Sequence, residues 1–380
     1  MPTKSELEVL RGLPLEVKIL KTKQRIREWY NHFNGQVYVS FSGGKDSTVL
    51  LHLVRSLYPE VKAIFSDTGL EYPELKSFVR TIENVDIVRP SYTFSDVLLK
   101  WGYPIASKET AQSIYLSRKY LKSYQINRSG KIVRFGGIIA NRMRFLGAYE
   151  GSVSETYKAV EQHTMRKTNS QFNLTQWANI AQEAPFRISS YCCDVMKKAP
   201  IHKIQKSMDL APYIGNLTEE SERRKQAWLR HGCNSYDNVR KSSQPLSFWT
   251  EQDILSYIDL NRLNVASVYG DIVKDERGIR FTGAQRTGCI FCGFGMHLDK
   301  GLSRMERLKI THPKLYEYAI GGGQWIENPV YNPSLKAEKD EIGWFPWNPE
   351  KIWVPSTRGL GMGFVFDTCN ELYGKKLWRY

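Results

Sequence analysis

The sequence predicts an α/β protein built on a parallel sheet flanked by helices. Three observations carry this. Apolar runs at residues 36–41, 61–66 and 85–88 alternate with segments of helical spacing, the order that joins parallel strands by crossovers. The first run leads straight into a glycine-rich stretch, Ser40-Phe41-Ser42-Gly43-Gly44-Lys45-Asp46-Ser47, and then into a helix. The second run ends at Asp67-Thr68-Gly69, so both polar stretches fall at the carboxyl ends of strands, where such sheets bind ligands.

Residues 5–33 read as one amphipathic helix with Leu7, Leu10, Val17, Leu20, Ile26 and Trp29 as apolar positions. A helix carrying Leu50, Leu51, Leu53, Val54 and Leu57 follows the glycine-rich turn, and further helices fit 73–82 and 94–101. From Lys108 the pattern is helical but irregular. The sheet pattern returns near 211–217, with helices at 219–230 and 249–259. After Gly321 the chain is rich in Gly, Pro and Trp and reads as a loop-rich extension. The expected organisation is an N-terminal helical segment (1–35), an α/β domain (36–121 and 185–320), an inserted basic and aromatic region (122–184) and a C-terminal extension (321–380).

Of 380 residues, 54 are Lys or Arg and 39 are Asp or Glu, a formal net charge of +15. This excess favours polyanionic partners, nucleic acid among them, or anionic nucleotides alone. Tyr120, Tyr124, Arg128, Lys131, Arg134, Phe135, Arg142, Arg144 and Phe145 form one basic, aromatic cluster that could hold a polynucleotide by charge and stacking, or serve only as a helical surface. No apolar run approaches the roughly 20 residues that span a bilayer, and the first residues lack a signal-peptide core. A cytoplasmic protein without membrane attachment is expected, and its six cysteines then read as metal ligands, catalytic thiols or core residues rather than disulfides.

The glycine-rich turn offers backbone N–H groups and a helix N-terminus to a phosphate. Gly43 and Gly44 let the backbone approach an anion, and Lys45 adds a mobile charge. The spacing is not that of a Walker A loop, which has four residues between its first glycine and Gly-Lys-Ser/Thr. The plain alternative is a turn that binds nothing. Cys192 and Cys193 are adjacent, and Cys289 and Cys292 form Cys-x-x-Cys. Four thiolates hold zinc or an iron–sulfur cluster. Adjacent cysteines suit a [4Fe–4S] cube better than one small ion; zinc and no metal remain open. Cys233 and Cys369 read as core residues, with Cys233 as a candidate relay thiol.

Ser-Gly-Gly-Lys-Asp-Ser resembles the PP-loop of ATP pyrophosphatases. With Asp67-Thr68-Gly69, Ser190-Tyr191-Cys192-Cys193-Asp194, Gly215, Glu220-Ser221, Arg224, residues 245–253, Gly288–Gly293 and Thr311-His312-Pro313, the chain resembles the phosphoadenosine phosphosulfate (PAPS) reductase-like branch of that superfamily. The resemblance implies a Rossmann-like sheet and an adenine nucleotide held by Ser40, Ser42, Gly43, Gly44, Lys45, Asp46, Ser47, Asp67, Thr68, Gly69, Gly215, Glu220 and Arg224. It gives catalytic parts to Lys45, Asp46 and Asp67, with Mg²⁺ on Asp46 or Asp67; the alternative for Asp67 is a cap on the turn at Thr68-Gly69.

The paired cysteines followed by Cys-x-x-Cys are similar to those of adenosine phosphosulfate (APS) reductases and DNA phosphorothioation sulfurtransferases. That implies a [4Fe–4S] cluster on Cys192, Cys193, Cys289 and Cys292. Two departures bear on the reaction. Cys369 sits in Asp-Thr-Cys-Asn-Glu rather than a C-terminal Glu-Cys-Gly-(Leu/Ile)-His, and Gly215 is followed by Asn-Leu rather than x-Arg. With an intact loop, these favour cleavage of ATP to AMP and pyrophosphate, followed by sulfur transfer to an acceptor such as DNA or tRNA. A sulfur or electron donor protein is then an expected partner, and a homodimer is compatible. The alternatives are APS or PAPS reduction to sulfite, and a nucleic-acid-binding module with a structural metal.

Overall fold

The computed structural model describes residues 2–120, 136–148, 172–236, 241–276, 278–335, 338–340 and 342–380. The chain forms two compact units, Met1–Ser91 with Val195–Ile290, and Tyr92–Asp194 with Phe291–Tyr380.

The first unit opens with two helices, α1 (Lys4–Arg11) and α2 (Leu15–His32), where the sequence reading has one. Thr3 and Glu6 form a capping box at the start of α1, and the Gly12 N–H closes its end on Glu8 O. Pro14 then precedes α2. A proline inside a continuous helix would delete a ladder hydrogen bond and clash with the preceding turn, so the break falls there.

The strands and helices that follow are β1 (Val37–Phe41), α3 (Lys45–Arg55), β2 (Ala63–Ser66), α4 (Pro73–Arg80) and β3 (Val85–Val88). The second segment of the unit adds β4 (Ala211–Ile214), β5 (Asn234–Ser235) and β6 (Ser242–Ser243). They form one sheet in the order β3-β2-β1-β4-β6-β5. Every pair is parallel except β5 with β6, as the alternating pattern predicts. Val39 lies opposite Ala63 on one side and Tyr213 on the other.

The pleat sorts the side chains. Val37, Val39, Phe41, Ala63 and Phe65 join a core with Leu50, Leu53, Trp29 and Trp249. Tyr38 and Ile64 point the other way and pack with Leu210, Ile201 and Ile204. Both faces are thus covered, and burying each large apolar side chain contributes about 1.5–3 kcal/mol. Chain order reverses between β1 and β4, the switch point beyond which open α/β sheets bind ligands.

The helix expected over 219–230 is a 3₁₀ turn, Thr218–Glu220, followed by Glu222–His231. Ser221 caps the second piece by accepting the Arg224 N–H. Helix Glu251–Leu260 starts on a Thr250/Asp253 capping box. A hairpin, β7 (Ile272–Asp275) with β8 (Gly278–Phe281), escapes the sequence reading because each of its strands holds only two apolar residues among glycine and charged ones.

The second unit is mainly helical, with Phe94–Trp101, Lys108–Ser117, Gly136–Leu146 and Ala178–Glu183 among its helices. Within the tail after Gly321, a hairpin (β9, Gln324–Glu327, with β10, Lys351–Val354) and the helix Met362–Tyr373 alternate with irregular stretches. Tyr124, Arg128, Lys131, Arg134 and Phe135 lie outside the described residues. Arg142, Arg144 and Phe145 are buried. Arg142 pairs with Asp340 at 2.7 Å and Arg144 with Glu109 at 2.8 Å, so these three side chains support the unit instead of meeting a polynucleotide. Among the described residues no helix is long and apolar enough to cross a membrane.

Candidate nucleotide site

The glycine loop leaves the carboxyl end of β1 and enters α3 at Lys45, with Gly44 as N-cap. Gly43 has φ +71°, and a Cβ there would stand 2.7 Å from Leu75 Cδ2 and Val79 Cγ2. Only glycine meets both demands. Ser42 and Ser47 brace the loop: their hydroxyls lie 3.0 Å apart, the Ser42 N–H donates to Ser47 Oγ, and the Gly44 N–H donates to Ser42 Oγ. Ser47 and Thr48 hydroxyls both donate to Gly44 O. Ser40 stays within β1, paired with Ile64 and Ile214.

Gly215 ends β4 beside the loop. A Cβ on it would lie 3.2 Å from the Asp46 backbone carbonyl and Ser47 Cα. Its role here is close packing of a strand end against the first turn of α3. The residues after β1 and β4 therefore meet at the switch point.

Lys45 is buried. Its Nζ lies 3.2 Å from Glu251 Oε1 and 3.9 Å from Asp46 Oδ1, and donates to Gln285 O at 3.1 Å. Its backbone N–H donates to the Tyr269 hydroxyl at 3.0 Å, and that hydroxyl shares a 2.8 Å hydrogen bond with Thr287 Oγ1. Glu251, Tyr269, Gln285, Arg286 and Thr287 are the neighbours that sequence reasoning did not single out as ligands. Glu251 and Tyr269 come from separate elements, and no local spacing links them to the loop. Thr287 stands next to Gly288-Cys289, a signal that was available.

Asp46 Oδ1 is buried without a hydrogen bond. Burial raises the Asp46 carboxyl pKa, Glu251 adds to the rise, and Lys45, Arg286 and Arg224 oppose it without cancelling it. Glu220 pairs with Arg224 and lies 3.6 Å from Arg286. Three cations, Lys45, Arg224 and Arg286, thus share the site with three carboxylates, Asp46, Glu220 and Glu251. A buried hard oxygen donor without a hydrogen-bond partner suits a divalent cation such as Mg²⁺.

Asp67 is differently placed. It follows β2, accepts the Gly69 N–H at 3.2 Å, and lies 2.9 Å from Lys76 Nζ and 3.5 Å from Arg89. Burial works to raise its pKa, but Lys76, the Gly69 N–H and Arg89 outweigh burial and hold it below the usual value. Thr68 caps the same turn, bonding Glu71 through both its N–H and its hydroxyl. Of the two roles open to Asp67, this geometry displays the turn cap.

Cys192 is buried and Cys193, Cys289 and Cys292 are half-buried. Cys289 belongs to the first unit, the other three to the second. Within the first unit the Cys289 segment is fixed on both flanks. Thr287 reaches the glycine loop through Tyr269, and the Ile290 N–H donates to Leu70 O at 2.8 Å, next to the Asp67 turn. Just past Cys193, Asp194–Lys198 is a single π-helical turn, and Met196 O accepts the Ser66 hydroxyl at the end of β2. Soft thiols are chemically suited to iron or zinc; among the described residues no group of three or more His, Cys, Asp or Glu is gathered into a metal site. Cys233 packs on the first unit's core with Sγ 3.3 Å from Ser247 Oγ. Cys369 is fully buried, and burial pushes its thiol pKa up.

The chain belongs to the phosphoadenosine phosphosulfate reductase domain family, whose model matches residues 36–103 and 145–292, more than half of the sequence. An uncharacterized protein of Methanocaldococcus jannaschii is 24% identical over 242 residues, covering 57% of this chain and 49% of that protein. Phosphoadenosine 5'-phosphosulfate reductases of Photorhabdus laumondii and Serratia proteamaculans are 29% and 33% identical, over 21% and 19% of this chain and 32% and 29% of theirs. The chain thus spans about half the length, or less, of these curated relatives. A crystal structure of phosphoadenylyl-sulfate (PAPS) reductase from Candida auris, a phosphate complex, aligns with a TM-score of 0.33 at 12% identity, covering 76% of this chain and 98% of that one.

Proposed function

We propose that this chain binds ATP over the glycine loop, cleaves it to AMP and pyrophosphate by adenylating an acceptor, and couples that step to sulfur transfer. The observation that carries the reading is the hydrogen-bonded path from the Lys45 N–H through Tyr269 to Thr287, two residues before Cys289. It ties an intact phosphate-binding loop to a thiol segment within one unit. In the adenylation step an acceptor oxygen attacks the α-phosphorus, the bond from that phosphorus to the β-bridging oxygen breaks, and pyrophosphate leaves. Lys45, turned from Glu251 to the phosphates, stabilises the charge developing on the leaving group, with Arg224 and Arg286 as further cations. Asp46, whose Oδ1 is buried without a hydrogen bond, is the proposed holder of Mg²⁺, which when bound would screen the phosphate oxygens. A sulfur nucleophile from a donor protein then displaces AMP.

Cys192, Cys193, Cys289 and Cys292 are the proposed holders of a [4Fe–4S] cluster, which when bound supplies redox or sulfide chemistry. The net charge of +15 supports a nucleic-acid acceptor, DNA or tRNA.

The names of the matching family and relatives support a second reading, reduction of PAPS to sulfite. The state of Cys369 weighs against it. A nucleophilic thiol needs exposure and a low pKa, and Cys369 has neither. The experiment is to supply anaerobically purified protein with PAPS and a thioredoxin-type reductant. No sulfite is expected; sulfite at enzymatic rates overturns the ATP reading in favour of the reductase.

A further inference from the structure

The second unit contains a cavity of about 790 Å³ lined wholly by its own residues. That volume is in the range of small-molecule sites. Six basic side chains line it, Lys100, Arg118, Lys119, Arg142, Arg187 and Lys339, against two carboxylates, Glu338 and Asp340. Asp340 is already bound by Arg142 at 2.7 Å. Among the described residues, no carboxylate pairs with Lys100, Lys119, Arg187 or Arg118.

Arg118 is the distinctive group. Its guanidinium donates to four backbone carbonyls, Ala181, Phe186, Ile180 and Ala184, at 2.6–3.2 Å. It also lies over the Trp347 ring, 4.6 Å from the centroid. The Trp347 Nε1–H donates to Ala184 O and fixes the indole. Burial pulls the Arg118 pKa down to about 9, which leaves it cationic at neutral pH. Four of its five N–H donors are taken up by these carbonyls but its charge is not neutralised, so the wall carries positive potential in a partly desolvated space. Tyr115 and Tyr120 add aromatic surface, and Lys119 Nζ sits 5.1 Å from the Tyr115 ring centroid. Asn332 adds its Nδ2 donor to the lining, while its Oδ1 accepts the Ser334 N–H and the Asn348 amide is held at both ends by the Asn332 backbone.

Aromatic walls, an amide donor and cations without a carboxylate partner together fit a planar heterocycle bearing an anionic group. We propose that this cavity binds one nucleotide unit, base against the Trp347 and Tyr115 side and phosphate toward Lys100, Lys119 and Arg187. A free nucleoside monophosphate and one residue of a single strand share this chemistry, and the test separates them. The proposal stands independently of ATP cleavage at the glycine loop.

The test uses the full chain carrying Lys45→Ala, so that the glycine loop is disabled. Binding of AMP, GMP, CMP and UMP, of the matching nucleosides, of inorganic phosphate and of an eight-nucleotide single strand is followed by tryptophan fluorescence and calorimetry. A monophosphate or the strand binds, at least tenfold tighter than nucleoside or phosphate alone. Lys119→Glu weakens that binding at least tenfold; Lys119 is exposed, so this variant folds. Trp347→Phe removes the fluorescence change. Preference between free nucleotide and strand identifies the source. No binding by any probe, binding unchanged by Lys119→Glu, or phosphate alone binding as well as the monophosphates overturns the proposal.

Discussion

Tyr269→Phe isolates the link between the loop and the thiol segment. The Tyr269 hydroxyl accepts the Lys45 N–H at 3.0 Å and bonds Thr287 Oγ1 at 2.8 Å. Phenylalanine keeps the ring and its packing on Phe281, 4.9 Å between centroids, and removes only the oxygen. The Lys45 N–H, in a buried residue, is left without its acceptor. An unsatisfied buried donor costs about 1–3 kcal/mol. With about 2 kcal/mol as the central value, and about 2–4 °C per kcal/mol for a unit of 150–250 residues, the melting transition should fall by about 4–8 °C. Differential scanning calorimetry reads this directly. Thr287→Val leaves the phenol able to accept from Lys45 and should cost less. The double variant should cost no more than Tyr269→Phe alone, because both substitutions act on one path. A shift below about 1 °C for Tyr269→Phe, or full additivity in the double variant, refutes the claim that the phenol holds the loop.

Gly43→Ala combines a left-handed backbone with a clash against Leu75 and Val79. Costs of about 1–2 kcal/mol for the conformation and about 1–3 kcal/mol for overpacking predict a loss of about 2–5 kcal/mol in denaturant titration. Gly69→Ala, at φ +75° with open space around it, should lose only the conformational part. Asp46→Asn tests the electrostatics. Burial holds the folded-state pKa of Asp46 above its unfolded value, so ionisation opposes folding at pH above the folded pKa and the penalty fades as pH falls through it. Asparagine should therefore raise the melting temperature at pH 7, with less gain in acid, while Mg²⁺-dependent nucleotide binding weakens; a lowered melting temperature at pH 7 contradicts this. Cys289→Ser should abolish iron retention and the broad visible absorbance of anaerobically purified protein, and Cys369→Ala should leave both intact.

Much of the sheet was legible because its signals are local. The apolar runs at β1, β2 and β3 alternate with helices at regular spacing, and glycines at the carboxyl end of β1 mark the turn into α3. The break at Gly12-Leu13-Pro14 was missed although glycine and proline signal it, because apolar residues continue on both sides of it. The two-residue strands β5 and β6 are too short for a periodic signal, and the strands of the hairpin β7–β8 hold only two apolar residues each. At the site, the loop residues were readable, whereas Tyr269 and Glu251 reach Lys45 from more than two hundred positions away. The second partner of a buried group is set by tertiary packing, which no spacing rule records. The same limit applies to Arg142 and Arg144. Their basic character reads as a surface for polyanions, and only the fold reveals Asp340 and Glu109 opposite them.

The central claim is that the glycine loop directs cleavage between the α- and β-phosphates. The most direct measurement follows ATP labelled in the α-phosphate, with Mg²⁺, a reductant and nucleic acid, resolving AMP from ADP and quantifying pyrophosphate. The account predicts AMP and pyrophosphate in equal amounts, both lost in Lys45→Ala. ADP with inorganic phosphate, or product formation unaffected by Lys45→Ala, would contradict it.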